Sequence, residues 1–170
     1  VVITPCITTA DFTLNGVTEL LAYDGFADDQ FGYSVSIDGN TALIGARYDD
    51  DRTGSAYFYE LYDDGTVEYE QRVIADDPAV GDLFGWSVAI SGDLALIGSR
   101  FDNNEAGEKS GAAYVFERID GMWVQVQKLL AANGLPNDRF GWSVDIEGNT
   151  AVVGAQRPDA SGSVYIFHFD

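Results

Sequence analysis

The residues able to do acid, base, nucleophilic or metal chemistry are unevenly supplied, with 28 Asp and Glu against nine Lys and Arg, one His and one Cys. His168 lies in the alternating run Tyr165-Ile166-Phe167-His168-Phe169, where a side chain packs or faces an edge rather than serving as a general base. No nucleophile elbow and no glycine-rich phosphate loop accompanies it. A structural zinc site needs N and S ligands in a set that one His and one Cys do not fill. Cys6 has no partner for an intrachain disulfide, which leaves a buried thiol or an intermolecular link. Carboxylate pairs abound, but so many acids make pairs by chance. The chain reads as non-enzymatic.

Two acidic clusters hold the hard oxygen ligands that calcium takes: Asp49, Asp50 and Asp51, then Asp102, Asn103, Asn104 and Glu105. Neither has the spacing of a known calcium loop, so both read as solvated turns first and as calcium ligands second. Charged residues also recur in step: Asp29, Asp82 and Asp138, each two residues before a Phe, and Arg47, Arg100 and Arg157, each opening an Arg-x-Asp triplet. A single binding site has no reason to repeat. The expectation is therefore structural, with the Asp side chains accepting turn N–H groups and pairing with the Arg side chains to tie loops together.

These residues are positioned by an internal repeat. Phe31-Gly32-Tyr33-Ser34-Val35, Phe84-Gly85-Trp86-Ser87-Val88 and Phe140-Gly141-Trp142-Ser143-Val144 start 53 and then 56 residues apart, and each continues to a Gly (Gly45, Gly98, Gly154) within an apolar run. A Tyr-x-aromatic element follows at Tyr57, Tyr114 and Tyr165. Each unit predicts four strands. The first two are joined by a tight Gly turn (Asp38-Gly39-Asn40 and its equivalents), and the last two by Asp64-Gly65 or Asp120-Gly121. Fourth strands are expected over 67–75 and 122–131; the stretch from Trp123 alternates with period two and reads as strand rather than helix. Residues 10–23 match a third strand, a hairpin at Asn15-Gly16 and a fourth strand, whereas the third unit stops after its third strand.

Phe-Gly-x-Ser followed by the glycine resembles the FG-GAP repeats of bacterial surface proteins and of integrin α-subunit propellers. The likeness covers residues 10–170 and implies all-β, β-propeller-type blades with a role in extracellular recognition or adhesion. It further implies that Phe31, Phe84 and Phe140, each followed by the motif glycine (Gly32, Gly85, Gly141), fill the space between blades, while Gly45, Gly98 and Gly154 permit close backbone approach. The calcium loop of integrin-type blades is not carried over, because the Gly turn between first and second strands is too short to wrap an ion with roughly six to eight oxygens. No other cofactor is expected.

The expected organisation is a single repeat domain over 1–170: an N-terminal hairpin and leader (1–30), blade 1 (31–83), blade 2 (84–139), and blade 3 (140–170) without a fourth strand of its own. Propellers have roughly four to eight blades. Three suit a fragment, a two-chain ring or a head-to-tail stack. The expected partner is therefore the chain itself, in an oligomer or filament joined by β-strand complementation from Asn15, Gly16, Val17 and Leu20 to the last blade; the alternative is a ligand-binding module for a protein or glycan. The net charge of −19 opposes nucleic acid and anionic membranes, and no run of roughly 18 apolar residues is present to span a bilayer. The start at Val1 rather than Met fits a processed secreted protein or a trimmed fragment. An extracellular or cell-surface, bacterial setting is expected from composition.

Overall fold

The computed structural model describes residues 18–158 and 161–170. Blade 1 is a four-stranded antiparallel sheet of β1 (Phe31–Asp38), β2 (Thr41–Ala46), β3 (Ser55–Leu61) and β4 (Val67–Val73), in that order across the sheet. Blade 2 repeats it with β5 (Phe84–Ser91), β6 (Leu94–Ser99), β7 (Ala112–Ile119) and β8 (Met122–Leu129). Blade 3 has β9 (Phe140–Glu147), β10 (Thr150–Ala155) and β11 (Ser163–His168), with β11 at its outer edge. The only helical segment among the described residues is the turn Asp49–Arg52, in which Asp50 and Asp51 have positive φ. The chain is all-β, built as three propeller-type blades.

Local chemistry explains the hairpins. Asp120 (φ 51°) and Gly121 (φ 80°) are both left-handed, the conformation that lets a two-residue turn follow the twist of β7 and β8. Period two sorts the side chains. Along β5, Val88 and Ile90 point toward blade 1, while Ala89 points toward blade 3. The fourth strands end two residues before their expected limits. Ala75 and Ala131 leave the sheet and pack into the core shared with the next blade.

Asn15, Gly16, Val17 and Cys6 lie outside the described residues. Of the expected N-terminal fourth strand, residues 18–22 carry no strand, and Leu20 and Ala22 pack on the blade 1 cluster of Ile44, Ala46, Tyr57 and Tyr59. Counted from the following Phe, Leu20 holds the place that Val73 and Leu129 hold before blades 2 and 3.

Candidate functional site: the blade junctions and the two open ends

Each junction is made by the repeated motif. Between blades 1 and 2, Gly85 (φ 80°) turns its carbonyl toward blade 1, where Ser34 Oγ donates to it at 2.8 Å. A methyl group on Gly45 would run into that carbonyl. Between blades 2 and 3 the same parts recur: Ser87 Oγ donates to the Gly141 carbonyl at 2.9 Å, and Gly98 leaves the space. Loop backbone adds a second tie, as Phe84 N–H donates to the Thr53 carbonyl (2.9 Å) and Phe140 N–H to that of Ser110 (2.8 Å). The Phe84 ring is buried with Leu43 and Phe58 of blade 1, and Phe140 with Leu96 and Val115 of blade 2. Truncating such a ring costs about 3–5 kcal/mol. The outer strands also join, with Phe58 stacked on Trp123 at 4.1 Å between ring centroids.

Among the described residues, the two ends of the array lack these partners. On the leading face of blade 1, Val35 and Ile37 are 69% and 62% exposed, whereas Val88 and Ile90 at the same places in blade 2 are 8% and 6%. On the trailing face of blade 3, Val164 and Ile166 are 68% and 63% exposed, although Ala113 and Val115 in blade 2 are buried. Ser143 and Gly154 stand where Ser34 and Gly45 receive a neighbour's carbonyl, but the nearest atoms to a methyl on Gly154 are those of Ser143 itself. Glu147 stands where Asp38 accepts Gly92 N–H (2.6 Å) and where Ser91 accepts Gly148 N–H (3.0 Å).

A polar network that sequence reasoning missed ties each linker to its blade. Tyr57 Oη donates within reach of both Asp24 (2.8 Å) and Asp49 (2.9 Å), and Arg72, opposite Tyr57 in the β3–β4 register, reaches Asp49 at 2.9 Å. In blade 2, Tyr114 meets Asp77 and Asp102 (both 2.9 Å), and Lys128, opposite Tyr114, reaches Asp102 at 2.8 Å. In blade 3, Tyr165 donates to Asn133 at 2.7 Å, and among the described residues no fourth strand brings a cation. The signal lay in the spacing: the Asp or Asn is seven residues before each Phe, and a basic residue stands twelve before Phe84 and Phe140, where Phe31 has Glu19. Burial would raise the Asp49 carboxyl, but hydrogen bonds from Ser55, Arg72 and Tyr57 hold it below the usual carboxylate range. Burial and the two nearby carboxylates drive the Tyr114 phenol far upward.

Two expectations are corrected. The Asp49 and Asp102 clusters are not plain solvated turns: both residues are buried and engaged by a Tyr and a cation, while Asp50 bonds Arg72, Asn103 accepts Lys109 N–H, Asn104 bonds Asp102 and the Gly111 carbonyl, and Asp51 and Glu105 are exposed. Among the described residues, no three Asp, Glu, His or Cys side chains are grouped to hold a metal. The second correction concerns the expected Asp–Arg pairs. Asp29, Asp82 and Asp138 do accept turn N–H groups, from Phe26, Ala79 and Leu135. Only Arg157 pairs with its Asp, reaching Asp138 at 2.6 Å. Arg47 and Arg100 turn the other way and lie over aromatic rings: Arg47 over Tyr33 (3.6 Å) and Trp86 (4.3 Å), Arg100 over Trp86 (3.3 Å) and Trp142 (4.6 Å). His168 is exposed on the edge strand beside Thr150 Oγ1.

Three blades locked by Phe-Gly and a facing Gly define a propeller-type repeat protein. The FG-GAP repeat family matches the chain three times, over residues 15–59, 67–116 and 123–167, and the chain belongs to that family. Each match opens before a Phe-Gly and ends within a third strand, and the second and third matches begin in the fourth strands β4 and β8, so the matched unit is offset from the blade by one strand. No curated protein matches the chain. No described helix is long and apolar enough to cross a membrane.

Proposed function

We propose that this chain is a non-catalytic, extracellular structural and adhesive module of bacterial type whose copies join end to end, blade 3 of one chain meeting blade 1 of the next. The observation that carries this reading is the pair of open faces. Val35 and Ile37 are exposed on one end and Val164 and Ile166 on the other, and both sets belong to surfaces that the two internal junctions bury. The ends are therefore the two halves of one interface, already present twice within the chain. A head-to-tail contact of this kind closes into a ring if the rotation permits and otherwise grows into a filament.

The unpaired edge of β11 supports the same reading, since an open edge accepts a strand from another chain. Residues 18–24 run over blade 1 where the fourth strand of a preceding blade would end. In a joint between copies they come beside β11, and Glu19 then falls opposite Tyr165, at the place of Arg72 and Lys128. The joint lacks the cation that each internal blade has. It is accordingly weaker than the internal junctions and reversible.

Sedimentation of the chain over a concentration series tests this. Mass should rise with concentration; Val35→Asp and Ile166→Asp, both at exposed positions, should each hold the protein monomeric with an unchanged melting temperature, and Glu19→Lys should tighten association. A wild-type chain that remains monomeric at millimolar concentration overturns the proposal. A ligand-binding module is the second reading, favoured by the arginines that stack on aromatic rings.

A further inference from the structure

Four of the nine basic side chains, Arg47, Arg52, Arg100 and Arg139, make no ion pair among the described residues, although acids outnumber them heavily. Three of these four lie along one ridge that crosses all three blades. Tyr33, Trp86 and Trp142, the residues after each Phe-Gly, follow one another with centroids 4.8 and 5.3 Å apart. Arg47 and Arg100 are laid over these rings, and Arg139 comes within 5.8 Å of the Trp142 ring. Arg47 bonds only Gln30 through Nε, and Arg139 bonds Gln156. Among the described residues the Arg100 side chain has no hydrogen-bond partner, and its Nε is buried.

This arrangement costs free energy. Burial, then the charges of Arg139 and Arg47, push Arg100 down to about 10. Stacking on the indoles returns part of the cost and holds the guanidiniums in place along the row of rings. A row of guanidiniums short of counter-charge matches carboxylates, which arginine binds through paired N–H donors. Arg47 of blade 1 and Arg100 of blade 2, beside a row of aromatic rings, match a ligand that repeats a carboxylate and an apolar face. A chain of uronic acid sugars has both.

We propose that the ridge binds a short uronate oligosaccharide, with successive carboxylates on Arg47 and Arg100 and the sugar rings lying along the Tyr33–Trp86–Trp142 row. The overall negative charge of the protein repels long polyanions, so short oligomers are preferred. This inference does not rest on the assembly of copies.

Tryptophan fluorescence, recorded while the chain is titrated with an oligogalacturonate of three to four sugars, reads the site directly. A saturable change is expected, absent with a neutral oligosaccharide of equal length and with a glutamate-rich tetrapeptide. Arg100→Gln should weaken binding at least tenfold while leaving the melting temperature equal or higher, because its guanidinium satisfies no partner. Arg52→Gln, off the ridge, should bind as the wild type. The proposal is overturned by an absence of saturable binding, by equal binding of the neutral sugar or the peptide, or by an Arg100→Gln protein that folds and still binds. Should Arg100→Gln fail to fold, Arg47→Gln with Arg139→Gln replaces it under the same criteria.

Discussion

Asp49 and Asp82 are both buried, and they titrate in opposite directions because only one of them is answered. Asp49 has Ser55, Tyr57 and Arg72 around it. Its lowered value contributes stability above the ordinary carboxylate pKa, and that stability is lost as pH falls through the folded value. Asp82 has one N–H bond and a second oxygen without a partner; burial, with Asp102 nearby, pushes it up to about 6. The sign is reversed: its contribution is intact below pH 3.8 and is lost as pH rises through about 6, a cost of about 3 kcal/mol for ionising it in place. Asp82→Asn should therefore be more stable than the wild type at pH 8, with the difference shrinking steadily as pH falls through 6 toward 3.8, as read by thermal melts at pH 8, 5 and 3.5. The Asp102 cluster gives a second prediction. Lys128→Met strands a buried carboxylate and should cost about 3 kcal/mol, the low end for a broken buried pair because Lys128 is partly exposed. Adding Asp102→Asn should recover most of that loss in a denaturant titration; an additive double variant would show that the two do not interact.

Among the elements, the strands and hairpins were legible in the sequence because their signals are local. Alternation, Asp-Gly turns and the thrice-repeated Phe-Gly each span a few residues, and the structure places β1 to β11 on them. The destinations of Arg47 and Arg100 were not legible. Spacing offered Asp29 and Asp82 as partners, whereas each Arg lies over the ring of its own first strand (Tyr33 or Trp86) and over the ring of the next blade (Trp86 or Trp142), and that second ring becomes a neighbour only after the blades pack. Arg157 has no following blade to supply such a ring, and it pairs with Asp138 as spacing predicts. The same dependence on a neighbour separates three glycines that look identical in sequence. Gly98→Ala drives a methyl into the Gly141 backbone and should destabilise by about 1–3 kcal/mol or more. Gly154→Ala meets only the rotatable Ser143 hydroxyl and should cost far less. Equal denaturation midpoints for the two would contradict the junction geometry.

At the scale of the whole molecule, the fold is an open series: each blade owes half of its core to a neighbour, and the outermost faces are unmatched. The proposed joining of copies and the proposed binding along the ridge draw on different surfaces, the first on the ends and the second on a line across the blades, so a variant should be able to lose one and keep the other. The Phe84 and Phe140 amides, bonded to carbonyls of the preceding blade, have a further consequence for how the chain comes apart. Blade 2 shares both of its faces, and melting it alone would forfeit two junctions at once. Blades 1 and 3 forfeit one each. Unfolding therefore starts at either terminus and moves inward, in the manner of a stack in which each unit is held by its nearest neighbours. The centre is the last part to melt, and a fourth unit added at either end would slow the fraying of everything behind it.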